Sequence, residues 1–587
     1  MTELIWEGKY DKDGRKVGPL RVALPFQTVE TANESVKDRQ RTLDLFAGGR
    51  PSEWRNRLIW GDKKYVLPAV LAEFAGKVDL IYIDPPFATG QNFSFTVQID
   101  GEEFVKEPSA IEVKAYRDTW GKGLDSYFQW TYETAVFLYE LLSEKGSLYV
   151  HLDYRVVGPV RMILDSIFGV QNLINEIIWY YKTGGMPELL GFGRKHDNIL
   201  FYVKNRDRAT WNPQKEKSYL MHKYGFSNIE IYSDQGGQYT LVNSRDVFDI
   251  PALRGNQPET VSYPTQKPEA LVERLVRASS NEGDLVMDCF VGSGTTAVVA
   301  ERLKRRWIAA DLSRFSTETT RKRLLAVPHV TPFVVQNLGK YERQLWQAAE
   351  FGEEALGKTL AYRRFILGLY KSKPIEGYAW LHGLKDGRMV HVATVDAPVT
   401  VGDVKQIAAE FQRVLGAGKN APMTRAVDVL GWDFAFELNE VARQTAGRAG
   451  LDMRFWRIPR EVLDKRAVEQ GDVRFFELAA LDVDIKQKAK EVVLRLRDFV
   501  IPADDVPQDV QQSVKDWSQW IDYWAIDWDH RGDAFHNEWQ AFRTKAEPKL
   551  PKSAEHVYET AGNYQIVVKV IDILGNDTTK TLKVKVP

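Results

Sequence analysis

One cysteine, Cys289, is all the chain has in 587 residues. That excludes an internal disulfide and any zinc site built on several thiolates. No run of about 18 consecutive apolar residues occurs, so no membrane-spanning helix is expected. The opening MTELIWEGKYDKDGRKVGPL scatters charges among few apolar residues and lacks the apolar stretch of a secretory leader. Neither sign of charge is in surplus: Lys+Arg 79 against Asp+Glu 80 gives a net of −1. Total charge therefore does not advertise a polyanionic partner, and a nucleic-acid surface would have to gather its cations on one face. Internal repeats and low-complexity tracts are also missing. What remains is globular, with 44 % hydrophobic and 27 % charged residues. The length predicts about three to five packed units. A soluble, cytoplasmic, multidomain protein is the expectation.

Short apolar runs alternate with helical patterns through the first half, which predicts an α/β fold with a largely parallel, doubly wound sheet. RLIW (57–60), DLIYID (79–84), SLYVHLD (147–153), LINEIIWYY (173–181), NILFYVK (198–204), DLVMD (284–288) and RWIAAD (306–311) have strand character. Between them, 132–146 reads as a helix stopped by Gly146, and 268–283 as one opened by Pro268 and stopped by Gly283. The polar, Tyr-rich span 205–262 breaks the rhythm and reads as an insertion. These breaks divide the chain into an extension (1–54), two catalytic-domain parts (55–204 and 263–330) around the insertion, an α+β region (331–500) and a Trp-rich segment with a β-hairpin or small sandwich (501–587). IPADDVPQDV (501–510) is the linker candidate, and Gly575-Asn576-Asp577 the hairpin turn.

Two motifs carry chemistry. Asp84-Pro85-Pro86-Phe87 follows the strand DLIYI directly. Two prolines cannot continue a central strand, so the chain must leave the sheet as a rigid loop at its carboxyl edge, where ligands of open α/β sheets bind. The loop offers a carboxylate, a carbonyl and an aromatic face, which together could grip an amino group; a plain strand exit is the bland alternative. Asp288-Cys289-Phe290-Val291-Gly292-Ser293-Gly294-Thr295-Thr296 follows DLVMD and opens a helix. Its glycines permit a tight turn and close ligand approach, and Asp311, ending the next strand, could accept from ribose hydroxyls. It is neither a dinucleotide fingerprint nor a phosphate loop. Gly352-Glu353-Glu354-Ala355-Leu356-Gly357-Lys358-Thr359 fits the phosphate-loop pattern, but no strand precedes it and two glutamates occupy it, so it reads as helix.

In order, LIWGDKKYVLPAVLAEFAGKVDLIYIDPPF, GSLYVHLDYR, SYPTQKPEALVERLVRASSNEGDLVMDCFVGSGTT and RRWIAADLS resemble the bacterial S-adenosylmethionine-dependent DNA amino-methyltransferases. The resemblance is to their permuted beta group, which includes type III modification subunits, and it covers about residues 55–320. Cys289 stands where that family usually has proline. The resemblance implies a Rossmann-like fold and a site-specific adenine-N6 methyltransferase, with cytosine N4 or a catalytically silent specificity subunit as alternatives. It implies Asp84, Pro85, Pro86 and Phe87 at the target base. S-adenosylmethionine would lie against Asp62, Asp288, Phe290, Gly292, Ser293, Gly294, Thr295, Thr296 and Asp311, with Thr265, Gln266 and Lys267 closing over its carboxylate.

Duplex DNA is the expected partner. Its contacts are expected from basic and aromatic residues of the insertion: Arg206, Arg208, Lys215, Lys217, Lys223, Arg245 and Arg254 interleaved with Trp211, Tyr219, Tyr224 and Tyr232. A homodimer is left open. No helicase or nuclease motif appears, so cleavage in a restriction or phage-defence system would fall to a separate subunit. No metal is expected: His530 and His536 read as a solvated loop. Trp517, Trp520, Trp524, Trp528 and Trp539 read as a packed core or an interface.

Overall fold

A computed structural model describes the chain except for residues 1–2, 35–53, 88–94, 100–101, 107–122, 182–191, 220–229, 256, 262, 264, 353, 415–423, 437, 439–446, 503–510, 512–513, 533 and 544–548. Lys223, Tyr224 and most of the linker candidate lie outside the described residues. Two compact units form: Met1–Ala23 with Arg55–Asn92 and Ala115–Thr331, and Leu24–Trp54 with Phe93–Lys114 and Pro332–Pro587.

The first unit is a doubly wound sheet with Rossmann-like crossovers. Its elements are β1 (Asn56–Trp60), α1 (Lys63–Phe74), β2 (Val78–Ile83), α2 (Leu124–Leu141), β3 (Leu142–Leu152), α3 (Val157–Phe168), β4 (Leu173–Tyr180) and β5 (His196–Val203), followed by β6 (Lys215–Ser218), β7 (Tyr232–Asp234), β8 (Gly237–Asn243), β9 (Val247–Asp249), α4 (Glu269–Ser279), β10 (Leu285–Asp288), α5 (Thr295–Arg302), β11 (Arg306–Asp311) and α6 (Arg314–Leu325). The sheet order is β9-β4-β5-β3-β2-β10-β11-β1. All pairs are parallel except those that β5 makes with β3 and β4. β2 is buried at all six residues, as a strand covered by helices on both faces must be. α4 buries Leu271, Val272, Leu275 and Val276, the stripe that its spacing predicts.

Two local expectations shift. The helix ends at Leu141 rather than Gly146, and β3 starts at Leu142. Gly146 works inside the strand instead: a Cβ there would meet the Val78 carbonyl oxygen at 2.9 Å, so glycine permits the close approach of β3 to β2. The insertion keeps only the antiparallel sheet β7-β8-β6 to itself, because β9 joins the main sheet beside β4.

In the second unit a six-stranded sheet spans Lys373–Glu477, with helix Val401–Val414 crossing between the parallel strands Arg388–Val392 and Ala426–Gly431. Ala480–Lys488 and Glu491–Val500 do not belong to it. They pair with each other and with Ser553–Val557, opposite the sheet Trp539–Phe542, Ile521–Asp527, Gly562–Asp572, Asp577–Val586. Val492, Leu494, Trp524, Ile566 and Val568 fill the layer between the two sheets, so the sandwich starts before residue 501. Trp524 and Trp528 are core residues.

His530 and His536 are not a solvated loop. His530 Nδ1 lies 2.9 Å from Asp527, and His536 Nδ1 lies 2.8 Å from Glu34. Asp527 is only three residues before His530, whereas Glu34 reaches His536 from the far end of the chain, which local sequence could not reveal. Strand Gln27–Ala32 pairs with Phe333–Asn337 and Phe535–Asn537, and buries Glu30 against Lys569 Nζ at 2.7 Å. Lys358 and Thr359 sit within helix Ala355–Leu369.

Candidate active site

Parallel pairing decides where the two motifs go. Leu80 and Ile81 of β2 lie opposite Val286 and Met287 of β10, so both strands discharge their loops at one carboxyl edge. Asp288 lies opposite Ala309, and Asp311 opposite Trp60, so the edge reads in order Asp84 loop, glycine turn, Asp311, Gly61-Asp62. Residues 227 positions apart in the chain, Asp84 and Asp311, thereby reach one rim. A small apolar pocket unites the motifs: Pro85 and Phe290 both line it, with Ile83, Trp130 and Val150.

The glycine turn is held from within. Gly292 and Gly294 have φ of 53° and 87°, the left-handed region that side chains resist. A Cβ on Gly294 would lie 2.8 Å from Thr320 Oγ1. Asp288 accepts from Phe290 N at 2.9 Å and from Thr296 Oγ1 at 2.7 Å. Asp311 accepts from Gly292 N and Ser313 N, each at 2.9 Å. Arg323 donates to the Ser293 carbonyl at 2.9 Å and to Thr295 Oγ1 at 3.0 Å. Burial pushes the Asp288 carboxyl up to about 7 and raises that of Asp311. Asp62 caps α1 by accepting from Lys64 N at 2.9 Å, and Gly61 N donates to the Asp311 carbonyl at 2.9 Å.

The Asp84 loop is finished differently. Lys267 Nζ donates to Asp84 Oδ2, while Asp84 Oδ1 is buried and has no hydrogen-bond partner among the described residues. The expectation placed Lys267 over a cofactor carboxylate; its ammonium lies on Asp84 instead, 5.6 Å from the Phe87 ring centre. The lysine also touches the other motif, since its carbonyl accepts from Thr295 Oγ1 at 3.2 Å. Gln266 turns back on its own segment, bonding the Glu259 carbonyl at 2.7 Å and Val261 N at 2.8 Å. Thr265 lies half-buried beside them.

Sequence reasoning missed what supports Phe87. Its ring stacks on His151 at 6.1 Å and 29°. His151 is fully buried and shares hydrogen bonds with Tyr82 OH at 3.0 Å and Asp197 Oδ2 at 3.1 Å. Burial pushes the Asp197 carboxyl up, but His151, Lys267 and Tyr181 together hold the group below its ordinary value. The signal was His151 inside SLYVHLD; its partners cannot be read from local pattern. Lys63 was also missed. Held 4.1 Å over Trp130, it is lowered to about 8 by burial.

The insertion's cations are spread among local partners. Lys217 pairs with Asp234 and Arg245 with Glu216, each at 2.5 Å. Lys215 donates to Asn243 at 2.6 Å, Arg206 to the Gln171 carbonyl at 2.7 Å, and Arg208 and Arg254 are exposed. Tyr232 stacks on Tyr239 at 5.6 Å, and Trp211 is exposed.

A Rossmann-like sheet with a carboxylate loop and a glycine turn side by side on its carboxyl rim has the layout of a nucleotide-cofactor-binding domain. Residues 78–322 match the model of the DNA methylase family of N6 and N4 methyltransferases. The chain is similar to the type II methyltransferase M.HpaI of Haemophilus parainfluenzae, 29 % identical over 247 residues, covering 42 % of this chain and 68 % of that protein. It is also similar to the DNA adenine methyltransferase YhdJ of Escherichia coli (strain K12), 26 % identical over 314 residues, covering 51 % and 92 %. Among solved structures, the M1.HpyAVI–SAM complex is 21 % identical, covers 46 % of this chain and 98 % of its own, and has a TM-score of 0.29.

Proposed function

We propose that the protein is a site-specific DNA methyltransferase that transfers the methyl group of S-adenosylmethionine to N6 of adenine in duplex DNA. On this reading it is the cytoplasmic modification component of a restriction or phage-defence system, with cleavage left to a separate subunit. One observation carries it. Among the described residues Asp84 Oδ1 is a buried acceptor without a donor, at the rim where the glycine turn also opens. A buried unpaired acceptor is costly, and a ligand bringing an N–H removes the cost.

The residues present fit the cofactor. Gly292 and Gly294 hold a left-handed turn that few side chains adopt, and Asp311 and Asp62 place carboxylates on the neighbouring strand ends beside it. When bound, S-adenosylmethionine supplies an electrophilic sulfonium methyl. Asp84 Oδ1 takes one hydrogen of the exocyclic amine and the Pro85 carbonyl the other, freeing the nitrogen lone pair from the ring. Lys267, fixed on Oδ2, leaves Oδ1 as the acceptor that faces the base. Phe87, backed by His151, stacks on a base turned out of the duplex. Orientation supplies much of the rate, and the proton that the nitrogen sheds leaves along the Asp84 hydrogen bond.

Tritium transfer from labelled S-adenosylmethionine to unmethylated DNA tests the proposal. Label in N6-methyladenine that vanishes in Asp84→Ala, with cofactor binding retained, is the expected result. Label in N4-methylcytosine would correct the base, and undiminished transfer by the variant would sink the role of the loop.

A further inference from the structure

A second surface of the first unit has the chemistry of a polyanion contact, outside the insertion. Ile83 lies opposite Val150, so the chain leaving β3 emerges beside the Asp84 loop. Three residues past His151, Tyr154 stands 39 % exposed. Two guanidinium groups converge on its ring, Arg194 Cζ at 4.2 Å and Arg155 Cζ at 5.4 Å from the centroid. Arg194 comes from the segment entering β5, whose Asn198 pairs with Leu152 of β3, so the two segments meet at the same edge. Asp153 neutralises Arg155 through contacts of 2.6 and 3.0 Å. Arg194 is exposed and, among the described residues, has no carboxylate partner. Phe192, two residues earlier, is fully exposed. The contrast with the insertion is direct, because Lys217 and Arg245 there have their charges met by Asp234 and Glu216.

We propose that Tyr154, Arg155 and Arg194 form a DNA-contact rim beside the base pocket, holding the backbone of the strand that delivers the target base. This inference rests on the proposed function and adds a contact surface to it. The planar fork of Arg194 suits a phosphate, and its seat on Tyr154 settles part of its orientation before binding. Tyr154 offers the sugar or a neighbouring base an aromatic face. Turning out a base costs its stacking and pairing, which backbone contacts on the catalytic side of the duplex offset.

The test uses the full chain and a fluorescein-labelled duplex of mixed sequence, with anisotropy read across a salt series. Arg194→Ala is expected to weaken binding about tenfold, as for one charge-assisted contact, and to flatten the slope of log affinity against log salt by about 0.9. Arg194→Lys should keep the slope and recover part of the affinity. Tyr154→Ala should raise KM for DNA in the tritium assay more than it lowers kcat. Cofactor binding by calorimetry should be unchanged in all three, which separates a DNA contact from a folding defect. Wild-type affinity and slope in Arg194→Ala would overturn the rim while leaving the proposed function intact. Failure of the wild-type protein to bind or label duplex DNA would overturn both.

Discussion

Two lysine–carboxylate pairs, one in each unit, are completed in opposite ways. In the second unit Glu30 is fully buried: Lys569 holds Oε2 at 2.7 Å and Asn537 Nδ2 reaches Oε1 at 3.4 Å. In the first unit Lys267 holds Oδ2 of Asp84, and Oδ1 is left buried with no donor among the described residues. Burying an ion pair is tolerable only when the remaining lone pairs are also met. The second unit meets that condition from its own residues. The first leaves one acceptor unmet among the described residues, at the rim where its glycine turn lies, which is the acceptor that the proposed function assigns to the base.

The largest break in this comparison comes from Asp84→Ala. Methyl transfer should fall by at least about 10²–10³-fold, the scale on which a single preorganised polar contact acts, while cofactor affinity by calorimetry holds. Next, Glu30→Ala should strand the Lys569 ammonium and cost the second unit about 3–5 kcal/mol, read by urea unfolding. A loss below about 1 kcal/mol, the scale of a surface pair, would erase the distinction between the two pairs. Gly294→Ala should cost about 1–2 kcal/mol from its left-handed backbone. The Thr320 contact adds to this, and the thermal shift produced by the cofactor should shrink.

A further prediction concerns pH. Burial raises the Asp288 carboxyl to about 7, so the folded state binds its proton more tightly than the unfolded chain does. Stability from this group is therefore present below the unfolded value of about 4 and lost as pH rises through about 7. Asp288→Asn should flatten that decline, and a variant whose stability falls as steeply as wild type would show that other groups cause it.

The two chemical loops were legible because their cause is local. Pro85 and Pro86 end a strand wherever they occur, and Gly292 and Gly294 permit a turn that no other residue makes as easily. The continuous apolar runs also marked a sheet buried on both faces. Pairings between distant residues were not legible. Nothing near Lys267 points to Asp84, 183 residues away, and nothing near His151 points to Asp197. Gly146 misled because one residue type both stops helices and lets strands approach closely; only the neighbouring Val78 carbonyl decides which. The edge of the sandwich was misplaced for a similar reason: Glu491–Val500 finds its partner Ser553–Val557 across more than fifty intervening residues.

Lys267 touches both halves of the rim at once, its carbonyl accepting from Thr295 and its ammonium resting on Asp84. A molecule that draws the whole of Lys267 away from one side would also shift the hydroxyl anchored on the other. Thermodynamic reciprocity then binds the two occupants together: whatever factor the methyl donor adds to the grip on the nucleic acid, the nucleic acid returns to the donor. Titrating either one in the presence and absence of the other measures a single coupling constant, twice.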